Sequence, residues 1–124
     1  MEKISNRYWG GVWKSKEDKS FDYWQEVQGI PVIIKGLEDV DLFAHLTILK
    51  NEKNEVVYNE NCWSISEGIT GLSIVFKEES MDNAICILTI LMALKRNRKR
   101  LKEEIKNTTN ISPRYKKEEV NNGI

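Results

Sequence analysis

The most reactive side chains in this 124-residue sequence belong to one histidine, His45, and two cysteines, Cys62 and Cys86. A thiolate nucleophile needs a neighbouring base, and His45 with Cys62 is the pairing that could supply one. His45 stands in an alternating stretch, where a place facing solvent or packed on a sheet suits it better than a catalytic one. A single histidine cannot build a multi-histidine metal centre, and the cysteines form no Cys-x-x-Cys group. Neither a metal site, a cofactor nor a disulfide scaffold is therefore indicated. The carboxylate pairs Glu17-Asp18, Glu38-Asp39, Glu78-Glu79 and Glu103-Glu104 lie in lysine-rich surroundings, where they read as surface charge rather than a buried acid–base pair. Nucleophile-elbow, Walker and dinucleotide glycine motifs are missing from the sequence. With no catalytic residue assigned, the expectation is a protein that is not an enzyme.

Two stretches could bind. Lys95-Arg96-Asn97-Arg98-Lys99-Arg100-Leu101-Lys102 is a dense cationic run. On a helix it would place Lys95, Lys99 and Lys102 on one side with Arg96 and Arg100 beside them, a face fit for phosphates. A bland explanation stands beside that one. Cations favour the C-terminal half of a helix, and Glu103 and Glu104 are spaced to pair with Lys99 and Arg100. The second stretch is aromatic: Tyr8, Trp9, Trp13, Phe21, Tyr23 and Trp24 crowd the front of the chain. Large rings serve as core bulk or as interface anchors. If Tyr8–Trp13 is a strand, alternation separates Trp9 and Trp13 from Tyr8. We expect the tryptophan face to pack inward and Tyr8, with Trp24, to offer contacts outward.

The elements that would carry these residues can be read from periodicity. Ile30–Lys35, Asp41–Leu49, a return strand from Val56 and Leu72–Phe76 read as strands of an antiparallel meander, with 50–55 as a hairpin loop. Tyr8–Trp13 adds a strand, and Ser15 to Val27 fits a capped short helix, although Phe21, Tyr23, Gln25 and Val27 would also fit a strand. Ser80 is a plausible N-cap with Asp82 in the first turn, and no glycine or proline follows until well beyond Ile105. One helix over 81–105 is expected, apolar nearly all round in its first turns. A single sheet covers only one side of such a helix, so self-association through 81–105 is expected as well. Its apolar run is too short to span a bilayer. The fold class is thus α+β, an antiparallel sheet of four to five strands with a long C-terminal helix packed on it. Residues 1–106 make one domain, and 107–124 form a polar, solvated tail.

Composition narrows the class of function. Charged residues make up 31% of the chain, yet 19 Lys and Arg balance 19 Asp and Glu, so no whole-molecule field draws nucleic acid or an anionic membrane. The opening Met1–Asn6 has no apolar core of a secretion signal, and a cytoplasmic location is expected. The Lys-, Asn-, Ile- and Glu-rich usage suggests a bacterial or phage source. The stretch Trp9-Gly10-Gly11-Val12-Trp13-Lys14-Ser15-Lys16-Glu17-Asp18 with Phe21-Asp22-Tyr23 resembles the opening strand, Ser-led loop and helix of some small bacterial toxin-immunity proteins. The resemblance ends there. By elimination, we expect a small non-catalytic binding protein, an inhibitor or immunity-type factor acting by protein–protein contact. The alternative is binding of nucleic acid or a phosphorylated small molecule by the basic half of the C-terminal helix.

Overall fold

A computed structural model of the chain describes residues 3–13, 21–53 and 55–115, with the side chains of Trp13, Phe21, Asp22 and Tyr23 excepted. The start of the expected short helix, at Ser15, lies outside the described residues, as does the tail from residue 116. The elements are β1 (Tyr8–Trp13), β2 (Phe21–Val27), β3 (Ile30–Val32), β4 (Leu42–Lys50), β5 (Val56–Glu67), β6 (Ser73–Glu78), α1 (Met81–Leu91) and α2 (Lys95–Asn107). The α+β class holds, but the strands form two antiparallel sheets: β1 and β2 alone, and β3-β4-β5-β6 in sequence order. No helix among the described residues is long and apolar enough to cross a membrane.

Phe21–Val27 is strand rather than helix because β1 offers it a partner. Tyr8 opposes Val27 and Val12 opposes Tyr23 across the ladder. A short isolated helix is marginal, whereas this pairing engages the segment's backbone, with one irregularity between Tyr23 and Phe21.

The central strand is β4, which is buried on both faces over its first half. Leu42 and Ala44 join Ile65, Val75, Ala84, Leu88 and Met92 in the main core under the helices. Phe43, on the opposite face, packs with Tyr8 and Val27 of the β1–β2 hairpin, and Ile48 adds to this second cluster. Gly10 permits that approach, since a Cβ there would come within 2.9 Å of Ile48 Cδ1. Along β4–β5 the register jumps from Leu46↔Trp63 to Thr47↔Asn59, leaving Glu60, Asn61 and Cys62 without partners on β4.

The expected single helix is broken. Ser80 caps α1 as the sequence suggests, its Oγ accepting from the Asn83 N–H at 3.0 Å. The helix ends at Leu91, and Leu94, with extended backbone, starts α2. Geometry explains a break that no glycine or proline marks. The buried residues of α1 are Ala84 and Leu88, with Met92 just beyond. In one straight helix, at about 100° per residue, Leu101 would point away from Met92 by about 180°. Breaking the helix brings Leu101 and half-buried Ile105 onto the same core. A buried leucine contributes about 1.5–3 kcal/mol.

Two polar side chains secure the corner. Asn97 Nδ2 donates to the Leu91 carbonyl at 2.8 Å. Arg98 Nη1 donates to the carbonyls of Met92 at 2.7 Å and Ala93 at 3.1 Å. These carbonyls lie where a helix leaves acceptors unsatisfied. The alkyl part of Arg98 lies over Gly36, whose φ of +90° and missing Cβ make room for it. Arg98→Met, which keeps the alkyl chain and loses the donors, is expected to lower unfolding stability by about 1–3 kcal/mol in urea melts.

Candidate functional site

The corner between α1 and α2 leaves large apolar side chains in solvent. Ile90, Leu91 and Leu94 are 67%, 45% and 50% exposed. They lie together because α1 turns Ala84 and Leu88 to the sheet, and the chain then bends inward at Met92. Leu91 also lines a groove of about 310 Å3 with Ile74 of β6 and Asn97, Arg100 and Leu101 of α2. Isolated exposed leucines are ordinary, but three within five positions at a corner form a patch.

The cations of α2 divide into two sets. At 100° per residue, Lys95, Lys99, Lys102 and Lys106 fall within an arc of about 60°, while Arg96 and Arg100 lie farther round, toward the Leu91 groove. The breaking of the helix changes what these charges mean. The run no longer occupies the C-terminal half of one long helix; it occupies the N-terminal turns of α2, where the helix dipole disfavours cations. The first turn of α2 holds no acidic residue, and no side chain caps its start. The expected pairing of Glu103 and Glu104 with Lys99 and Arg100 is not formed. Among the described residues, the ion pair made by α2 is Lys102 to Asp39 at 3.2 Å. Helix stabilisation therefore does not account for the run.

The front segment faces the opposite way from expectation. Tyr8 is buried, its ring centroid 4.7 Å from that of Phe43 and 3.9 Å from the Arg114 guanidinium carbon. Trp9 is half-buried on the other face, with Arg7 above it at 5.1 Å. Burying Tyr8, Gly10 and Val12 works because Gly10 admits Ile48 and Gly29 admits the Tyr8 ring. Tyr8 is a core anchor and not an exposed contact. Trp24 is half-buried, its ring lying over Gly71 at a close approach that excludes any Cβ. The structure thus brings Lys95, Arg96, Lys99 and Arg100 together on α2 and leaves Tyr8 and Trp24 elsewhere, in and beside the hairpin.

His45 is 4% exposed and both its ring nitrogens are engaged. Nδ1 lies 2.8 Å from the Leu46 carbonyl and so carries the proton; Nε2 accepts from Ser66 Oγ at 2.8 Å. Desolvation holds its pKa below the ordinary value. No nitrogen remains to serve Cys62 as a base, and Ser66 is itself buried beyond reach of a substrate. Glu67 is buried too. One carboxylate oxygen accepts from the Ile69 N–H, and the other from the Thr70 N–H and hydroxyl, while burial pushes its pKa up. Among the described residues, no group of three or more His, Cys, Asp or Glu side chains gathers as a metal site.

The largest departure from the sequence reading is in the segment expected to be a solvated tail. Ser112, Arg114 and Tyr115 are buried, and Ser112 N–H donates to the Ile69 carbonyl at 2.7 Å. Arg114, 2% exposed, donates Nε to Asp41 at 2.6 Å and Nη1 to the carbonyls of Ser5 and Arg7. Tyr115 donates its hydroxyl to the same Asp41 oxygen at 2.7 Å, and burial followed by that bond raises its pKa. This network clamps the two ends of the described chain around β4. The pairing of an arginine and an aspartate 73 positions apart leaves no local signal.

No family model, no curated protein and no solved structure matches this chain.

Two outcomes test the polar interior. Arg114→Met is expected to destabilise the fold by about 3 kcal/mol, measured by chemical denaturation, because Asp41 loses its buried counter-charge. The second concerns pH. The folded His45 pKa lies below the unfolded value of about 6.5, so the unfolded chain binds the proton first as pH falls. The stability from neutral His45 is full above that pH and lost as pH falls through the folded pKa. His45→Gln is expected to flatten this acid-side slope in melts taken across the window.

Proposed function

We propose that this chain is a small non-catalytic binding protein, acting by contact with another protein through the α1–α2 corner. The observation that carries the reading is the exposure of Ile90, Leu91 and Leu94 beside Arg96 and Arg100. An exposed apolar patch rimmed by arginines fits the apolar centre and polar rim of a protein interface. The occupied nitrogens of His45 support a binding role over thiol chemistry at Cys62. Masking a partner's surface, as an inhibitor does, needs nothing more than such a contact.

Charge favours a different protein over a second copy as the partner. An isologous dimer would set the patch of one copy against the same patch of another. Arg96 and Arg100 of the two copies would then crowd together, with Glu104 as the single acid in the groove lining to offset them. A different protein with an apolar pocket and an acidic rim meets the same surface without that repulsion. This reading replaces self-association through 81–105 with a hetero-complex.

Leu91→Ser with Leu94→Ser is the direct test, because both side chains are about half exposed and their loss leaves the core intact. The double variant is expected to melt like the wild type yet lose a partner captured from the native host, with about 2 kcal/mol lost per anchor by titration. Equal capture by both proteins, or a stable homodimer of the wild type in light scattering, would contradict the reading.

A further inference from the structure

The lysine face of α2 points to a second binding surface, separate from the apolar corner and not dependent on its assignment. Lys95, Lys99, Lys102 and Lys106 line one open groove of about 390 Å3 with Arg98 and Glu103. We propose that this stripe is an electrostatic track for the phosphodiester backbone of duplex nucleic acid, bound without regard to sequence.

The spacing carries the first step. At 1.5 Å rise per residue the stripe runs for about 16 Å, long enough to meet several successive phosphates of one strand. The groove's chemistry carries the second. All its lining side chains are charged, with no apolar or aromatic residue to anchor a protein partner, whose interface would need a dry core. An anionic membrane fits no better, because the apolar residues of α2, Leu101 and Ile105, are turned into the protein core and cannot insert. The lysine stripe also lacks a free amide or guanidinium fork for reading bases. The amide in this stretch, Asn97, is spent on the Leu91 carbonyl, and Arg98 on Met92 and Ala93. What remains is a row of flexible point charges, suited to phosphates and indifferent to base edges.

The third step is the helix break. Lys95 sits in the first turn of α2, against its dipole, and among the described residues the four lysines make no ion pair apart from Lys102 with Asp39. A phosphate backbone would relieve both conditions. With Lys102 shared with Asp39, three phosphates is the expected number neutralised.

Fluorescence anisotropy with a labelled duplex DNA of arbitrary sequence tests this on the full chain. Three neutralised phosphates imply that affinity falls about 40-fold between about 50 and 200 mM salt. Lys95→Gln with Lys99→Gln and Lys106→Gln should remove the binding while leaving the thermal melt unchanged, and Arg96→Gln with Arg100→Gln should largely retain it. Four results would overturn the proposal. They are no duplex binding at about 50 mM salt, full binding by the lysine variant, greater loss in the arginine variant, or equal affinity for poly-glutamate or anionic lipid vesicles.

Discussion

Asn97 and Arg98 reach back over the end of α1 and take up the carbonyls of Leu91, Met92 and Ala93. A helix end leaves carbonyls that need partners, and an uninterrupted helix would strand Leu101 in solvent. These two side chains make the corner the lower-energy solution. The helical surface follows from that corner. It exposes Ile90, Leu91 and Leu94, aims Leu101 at the core, and turns one cationic run into two faces with different neighbours.

The rest of the molecule is arranged to hold β4, the strand that receives both layers. One face joins the core under the helices through Leu42 and Ala44, the other meets the hairpin through Phe43. Asp41, immediately before it, gathers Arg114 and Tyr115, so the chain beyond α2 closes back over the start of the same strand. The polar groups this buries, including His45, Ser66, Thr47 and Ser64, satisfy one another: Thr47 Oγ1 lies 2.7 Å from Ser64 Oγ. Their hydrogen bonds tie β4 to β5 in the interior.

Much of this architecture was legible in the sequence. Alternation located β4, a polar run the loop after it, the β-rich start at Val56 the return strand, and capping preference the Ser80 start of α1, because each depends on local pattern. Whatever depended on distant partners was not legible. Phe21–Val27 suited helix and strand alike until β1 stood beside it. Tyr8 turned inward because Gly10 and Gly29 clear space for Ile48 and for its own ring, and no alternation rule says which face of a hairpin meets a sheet. Arg114 sits in a run of polar residues that resembles a tail, and only its fit to Asp41 sets it apart. The cationic run was visible from the start. Its meaning reversed once the helix beneath it proved to be two, since the same charges favour one end of a helix and oppose the other.

The most direct test is therefore the corner itself. Backbone chemical shifts measured by NMR in solution are expected to be helical over 81–91 and 95–107, with extended values at Leu94 and non-helical values beside it. Helical shifts running unbroken from Met81 to Ile105 would contradict the account, because Leu101 would then point away from the core and the apolar patch and lysine stripe would lie elsewhere on the surface.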